Sequence, residues 1–385
     1  MKNRYLFLFA VCITLSLSYC TSDDKPLEDI VLEIDISRNN NLKLSSIFRK
    51  DAEYIPLESR EGHLIGEISK IVISDNYILA ADFYNTASVF IFDRSGRFIS
   101  QISRLGEGPF EYDAMMDFYF NEIREEICVF SFSGKLIVYD ISGKGLRNIP
   151  LSTRGVKYHV AGSKIFVTGM DSEYWLDVLS EDGTKEGEYI PIKNFIGLEF
   201  AALINFSGTE DSVLFLPSLD QVFYCYTDCA VFPKYIIDFG INNIPDNIFN
   251  NCKHVEDFWL KCELNNYANT INEFAETKTH LHFSFTYGKK NGHVFYNRLN
   301  GDIKCAIDIE NDIDGLHYWG IIGQVENGVI QRRWPAELKK NMQEIKSRLN
   351  PEEWNEYMTK NEHLFELAME SKEIDNPILI IYTYK

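Results

Sequence analysis

The residues whose types and spacing come closest to a reactive group lie in one short segment, Arg104-Leu-Gly-Glu-Gly-Pro-Phe-Glu111-Tyr112. A guanidinium, a carboxylate and a phenol gathered around a Gly-Pro turn can hold a polar ligand by charge and hydrogen bonds. The same spacing also suits a turn that locks two neighbouring elements through a Glu–Arg pair. His280 and His282 alternate on one strand and share a face with Ser284 and Thr286, while Leu281, Phe283 and Phe285 take the other. Two imidazoles on one face are half of a metal site, but the spacing supplies no third ligand. His293 follows the turn and is expected to pair near Tyr287, too far along the hairpin to join them. No metal and no cofactor are expected. Six cysteines lie beyond position 20: Cys128, Cys225, Cys229, Cys252, Cys262 and Cys305. Their spacings match no structural zinc pattern, so they read as buried free thiols, and Cys225 and Cys229 cannot bridge without a turn between them.

Other catalytic signatures are missing. No nucleophile elbow, phosphate loop, metalloprotease helix or dinucleotide fingerprint occurs. Ser180-Glu-Asp-Gly-Thr184 is similar to a sialidase Asp-box, but its glycine stands one place early and no tryptophan follows, so it reads as a hairpin turn. Paired carboxylates for glycoside chemistry cannot be singled out among so many acidic residues. Trp175, Trp319 and Trp334 are candidates for stacking on sugar rings, or for packing between elements.

The elements that must carry these residues repeat. Val89-Phe-Ile-Phe-Asp93-Arg-Ser-Gly96-Arg-Phe98 is a strand, a turn and the start of a second strand. The pattern returns around Asp140 and Gly143, Asp182 and Gly183, and Asn300 and Gly301. The glycines lie 47, 40 and 118 residues apart. The long gap fits two repeats plus an insertion, with Val222–Asp228 supplying the missing hairpin. Alternating strands at such periods indicate propeller blades. Val31–Ile36 and Ile378–Tyr384 frame the array, and strands from both termini are expected to share a blade and close the ring. Residues 245–276 read as irregular to helical. Residues 335–370 read as a helical pair: Pro335 opens it, Leu338, Met342, Ile345 and Leu349 form one apolar stripe, and Asn350-Pro-Glu-Glu353 is a capping box ahead of Trp354, Tyr357, Met358 and Phe365. The expected architecture is all-β: a six-bladed β-propeller over residues 31–385, with a helical insertion at 335–370 in its last blade.

Tyr54-Ile-Pro-Leu-Glu58, Leu64–Lys70, the Asp93…Gly96 hairpin, Gly106–Tyr112 and the closing Asn376–Tyr382 resemble the six-bladed β-propeller lipoproteins of Bacteroidetes, which are similar to NHL-repeat propellers. Phe110 stands where that family tends to have glycine. The resemblance implies fold and location, and no agreed chemistry.

The front of the chain points the same way. Lys2 and Arg4 precede an apolar run from Tyr5 to Leu17, too short for a bilayer but suited to a signal peptide. Leu17-Ser-Tyr-Cys20 resembles a lipobox, with Tyr19 where glycine or alanine is usual. The acidic Ser22-Asp23-Asp24 behind it looks like a surface-export signal. The expected layout is a signal peptide at 1–19, lipid attachment at Cys20, and a tether over 20–30. The protein is then an outer-membrane lipoprotein of the cell envelope, surface-exposed, held to the bilayer by its acyl chains.

The formal net charge is −19, and −21 without residues 1–19. So acidic a chain, with no basic cluster, repels nucleic acid. The leading expectation is a non-catalytic propeller that binds a glycan, peptide or protein ligand, with Arg104, Glu111 and Tyr112 at the site beside the central channel. The alternatives are a propeller hydrolase or lyase acting on polysaccharide, and a structural subunit of an envelope complex. Cys20→Ala is expected to move the protein from the membrane fraction to the soluble one, and unchanged detergent partitioning would contradict the lipid anchor.

Overall fold

The computed structural model describes residues 29–38, 42–192, 206–209, 212–318 and 320–385. Cys20, the segment before it and Trp319 lie outside the described residues. Turn chemistry sets the hairpins. The repeat glycines take the left-handed φ that a tight hairpin needs, +82° at Gly96, +81° at Gly143, +85° at Gly183 and +79° at Gly301. Asp93 Oδ1 accepts from the Ser95 and Arg97 N–H groups, and Asp140 Oδ1 from those of Ser142 and Lys144.

The hairpins assemble into six blades. Blade 1 is Lys70–Ile73, Tyr77–Asp82, Ser88–Asp93 and Phe98–Ser103. Blade 2 is Met115–Asn121, Glu126–Ser131, Lys135–Asp140 and Gly145–Pro150. Blade 3 is Gly155–Ala161, Lys164–Gly169, Tyr174–Ser180 and Lys185–Pro191. Blade 4 is Phe206–Thr209, Ser212–Phe215, Val222–Thr227 and Ala230–Asp238. Blade 5 opens on a broken strand, Ala268–Asn269 and Phe274–Glu276, then His280–Tyr287, Lys290–Asn297 and Ile303–Ala306. Blade 6 is Gly323–Val325, Gly328–Arg333, Ile378–Tyr384 and, last in space, Phe48–Pro56. First strands of neighbouring blades pack side by side around a central channel. Some turn glycines also seat one blade on the previous one. A Cβ on Gly96 would lie 2.1 Å from the Pro56 carbonyl oxygen, and one on Gly183 2.2 Å from that of Pro150.

Two expectations are corrected. The ring is closed by Phe48–Pro56 pairing with Ile378–Tyr384, whereas the earlier strand, Ile30–Glu33, runs parallel to Ala230–Asp238 on the outer edge of blade 4. There it buries Leu32 and covers an edge that would otherwise expose unpaired backbone. The insertion over 335–370 is three helices rather than two. After α1 (Val255–Asn265), which precedes blade 5, come α2 (Pro335–Arg348), α3 (Pro351–Lys360) and α4 (Glu362–Glu370). Asn350 caps α3 as its sequence dictates, accepting from the Glu352 and Glu353 N–H groups at 2.9 Å each. The break at Asn361 turns α4 so that Leu364 and Ala368 join Leu338, Met342, Phe48 and Tyr382 in one core.

Asp314 ties this addition to the closing strands. Its carboxylate accepts from Tyr54 (3.0 Å), Tyr382 (2.7 Å), Asn311 Nδ2 (2.6 Å) and the Leu316 N–H (3.0 Å), and its carbonyl from the Tyr357 hydroxyl of α3 (2.7 Å). Asp314→Ala leaves two phenols, the buried Tyr382 and the half-buried Tyr54, without an acceptor. It is expected to cost about 3 kcal/mol of stability, read as a lower unfolding midpoint; an unchanged midpoint would refute the role.

Candidate functional site

Strand alternation turns every second residue of a first strand toward the channel. The channel cavity, 260 Å³, takes lining from all six blades: Lys70, Asp117, Lys157 with His159, Ser207, Phe274 and Gln324. Asp117 is the organising group on one side. It is 2% exposed and accepts from Lys70 Nζ at 2.7 Å and from the Tyr158 N–H at 2.9 Å, joining the first strands of blades 1, 2 and 3. On the other side, the Ser207 hydroxyl donates to Gln324 Oε1 at 3.0 Å, joining blades 4 and 6.

Lys157 and His159 stand between these clusters. Lys157 has no carboxylate within ion-pair distance among the described residues; its Nζ lies 5.8 Å from the Phe83 ring centroid. Burial lowers its pKa, against the pull of Asp117. His159 stacks on Phe206, and burial, reinforced by Lys70, holds its pKa at about 4. At neutral pH the channel therefore presents one ammonium not neutralised by a direct ion pair and one neutral imidazole, a donor set for an anion with a hydrogen-bonding neighbour. Sequence reasoning missed Lys70, Asp117, Lys157 and His159. The signal was the alternation in Lys157-Tyr-His159 and Asp117-Phe-Tyr119, polar groups spaced along strands with no open face.

The Arg104–Tyr112 segment does not reach the channel. It packs on the third and fourth strands of blade 2, where Tyr139 donates to the Phe110 carbonyl (2.9 Å) and Asn148 to that of Pro109 (2.6 Å). Arg104 and Glu111 line a 470 Å³ cavity there with Tyr139 and Gly143. Glu111 curls back to accept from the Gly108 N–H at 2.9 Å, a path that requires Gly106, whose Cβ would sit 2.1 Å from Glu111 Oε2. Tyr112 is wholly buried, its hydroxyl donating to Ala87 and accepting from the Arg104 N–H. Arg104 and Glu111 are thus brought together, while Tyr112 holds the segment in place. Trp175 lines a separate groove between blades 3 and 4, and Trp334 packs on the blade 6–blade 1 core beneath the Arg332 guanidinium.

The histidines depart from expectation. His293 pairs with Ser284, because the hairpin turn is only Gly288-Lys289, and this puts its Nδ1 3.4 Å from His282 Nε2. Neither face of the strand is solvated: His280 stacks on Tyr384 and His282 on Phe295, between blades 5 and 6. The described cysteines are free thiols. A turn does separate Cys225 from Cys229, but the first is buried and the second exposed.

Burial keeps the paired histidines neutral, His293 with a pKa of about 4 and His282 well below the ordinary 6.5. The unfolded chain takes up protons near pH 6.5 that the fold refuses, so stability falls as pH drops from 6.5 toward 4. Glu273 works oppositely. Burial raises its carboxyl to about 7, so its contribution is complete below 4.5 and lost above 7. It offsets one histidine and leaves the rest, His159 in the channel among them, uncompensated. The urea midpoint is therefore expected to fall on acidification, by up to about 1.4 kcal/mol per pH unit for each uncompensated histidine; a flat profile between pH 6.5 and 4 would contradict this.

No curated protein matches the chain. Among solved structures it is similar to a Bacteroides fragilis protein inferred to be exported, with a TM-score of 0.72, 17% identity, and coverage of 92% of this chain and 99% of that one. At 11% identity and a TM-score of 0.36, BamB of Moraxella catarrhalis is matched over 72% of this chain and 68% of its own. The Pan2 WD40 domain of Neurospora crassa, at 10% identity and 0.40, is matched over 68% and 71%. The first of these agrees with the six-bladed ring, and residues 27–383 match one family throughout: the chain belongs to the domain of unknown function family DUF4934.

Proposed function

We propose that this chain is an exported, lipid-anchored binding module of the cell envelope whose central channel takes the anionic group of a glycan or peptide ligand, without catalysis. One observation carries the ligand class: Lys157, mostly buried at the channel, has no ion-pair partner among the described residues, while the neighbouring Lys70 is matched by Asp117. An uncompensated ammonium in a poorly hydrated site is costly, and a ligand carboxylate that pairs with it gains what the empty site lacks. The charge of −21 on the chain without residues 1–19 repels anions in general, so affinity has to come from close contact rather than long-range steering. Location rests on the signal-like run, Cys20 and the resemblance to Bacteroidetes propeller lipoproteins.

Glycoside hydrolysis is disfavoured because it needs two carboxylates across the scissile bond, and Asp117 is the channel's one carboxylate among the described residues, committed to Lys70 and Tyr158. A lyase is the second reading, since the His159 imidazole and the Lys157 ammonium line one cavity, a proton acceptor next to a partner for a carboxylate. Titrating the protein with oligogalacturonate and with a carboxylate-terminated peptide tests both. Binding is expected to weaken with added salt and to fall at least about tenfold in Lys157→Met. Undiminished binding in that variant would refute the channel, and a rising ultraviolet absorbance from new unsaturated ends would replace binding by a lyase.

A further inference from the structure

Blade 5 begins with a defect that has a use. Ala268 and Asn269 pair with Tyr287 and Thr286, and Phe274 to Glu276 pair with Phe283 to Leu281, so residues 270–273 bulge opposite only Ser284 and Phe285. Thr270 takes a φ of +48° to begin the detour. The bulge throws Glu273 out of the strand toward blade 6, where its Oε2 accepts from the Ile321 N–H at 3.0 Å. Its carboxyl fits only because residue 320 is glycine, whose Cβ would lie 2.0 Å from Oε2. Glu273 is 9% exposed and has no cation within ion-pair distance among the described residues. It forms the floor of a 290 Å³ cavity separate from the channel and from the rim cavity of blade 2.

The walls are polar and mainly uncharged. His293 faces the cavity, and its tautomer follows from its neighbour. His282 Nδ1 is buried without a partner, and an orphaned N–H there costs more than an orphaned lone pair. His282 Nε2 therefore carries the hydrogen and donates to His293 Nδ1, which leaves His293 with Nε2–H. The amides of Asn272 and Asn291 have no side-chain partner among the described residues. From α1, Trp259 supplies an aromatic wall, fixed by its Nε1–H donating to Thr270 Oγ1 at 3.0 Å. The other charge on the lining, Glu263, pairs with Lys289 at the mouth.

We propose that this cavity is a second binding site, for one neutral sugar residue stacked on Trp259 with its hydroxyls on Glu273, His293, Asn272 and Asn291. Each amide and carboxyl group can both donate and accept when the carboxyl is protonated, which matches hydroxyls that also do both. Burial raises the carboxyl to about 7, so the protonated form is well populated at neutral pH and dominant below it. An anion would meet Glu273 and Glu263 with no free cation to compensate. The volume is at the lower end for ligand pockets, enough for one ring and no more.

The test is saturation-transfer NMR and calorimetry on the full chain with a panel of methyl glycosides of hexoses and N-acetylhexosamines, and with methylammonium as the cationic control. At least one glycoside is expected to bind, with transfer strongest on the protons of its apolar face. Affinity should fall about tenfold or more in Trp259→Ala and in the exposed-mouth variant Asn291→Ala, while Glu273→Gln, which keeps a donor and an acceptor, binds within a few-fold of the parent. Lys157→Met should leave glycoside binding unchanged, which separates this site from the channel. No binding by any glycoside, binding of methylammonium in its place, or full affinity in folded Asn291→Ala would each overturn the proposal.

Discussion

Everything in this molecule depends on one strand being held from both sides. Ile378–Tyr384 lies between Gly328–Arg333 and Phe48–Pro56, and it is the point at which a linear series of sheets becomes a ring. An open series would leave blade 6 incomplete and expose the core between blades 6 and 1, where Ile55, Ile71, Phe90 and Leu379 meet. The cost of bringing two distant chain segments together grows only slowly with loop length, so closure across some three hundred residues is affordable once the strand is buried. Its first five residues are buried, and both of its own edges are paired.

The helical addition follows from that closure. The chain must leave blade 6 after Arg333 and return at Ile378, and three helices fill the interval while packing against the closing strands themselves. Asp314 makes the dependence explicit. Its carboxylate holds one tyrosine from each closing strand, Tyr54 and Tyr382, and its carbonyl holds α3 through Tyr357. Burying a carboxylate is tolerable here because its hydrogen-bonding capacity is met by nearby donors. The same logic orders the channel, where Asp117 binds blades 1, 2 and 3 with its side chain.

The fold was legible because its cause is local. Asp-x-x-Gly turns at Asp93 and Asp140 fix hairpins whatever surrounds them, and the spacing of those turns is the spacing of blades. The cap at Asn350 was legible for the same reason. What escaped the sequence is what depends on register between distant segments. Val31–Ile36 and Phe48–Pro56 both alternate, and only the ring decides which of them closes it. His293 pairs with Ser284, three positions from the expected Tyr287, because the turn is only two residues long, and this brings it into contact with His282. Arg104 and Glu111 line one cavity, but the link that carries them lies against the outer strands of blade 2 rather than at the channel. The channel groups were hidden because each repeat contributes only one or two of them. Lys70, Asp117 and Lys157 are unremarkable apart, and only the closed ring brings them into one cavity.

The interior shows one consistent treatment of charge, and its exception is informative. Buried ionisable groups are either matched, by ion pairs as Lys70 with Asp117 and Glu276 with Lys234 or by neutral hydrogen-bond partners as Asp314 and Arg333 are, or held in the neutral form by burial, as His282 and His293 are. Both arrangements avoid the penalty for an unpaired buried ion. Lys157 follows neither rule completely: burial depresses its pKa, yet Asp117 nearby favours the charged form, and Asp117 is already spent on Lys70. A lysine with four flexible methylenes reaches solvent easily at a blade edge. In the first strand of blade 3 it is instead kept at the channel beside a histidine that cannot neutralise it. Stability alone would be served better by an apolar residue at 157, and that cost is why the proposed anionic ligand is assigned to Lys157.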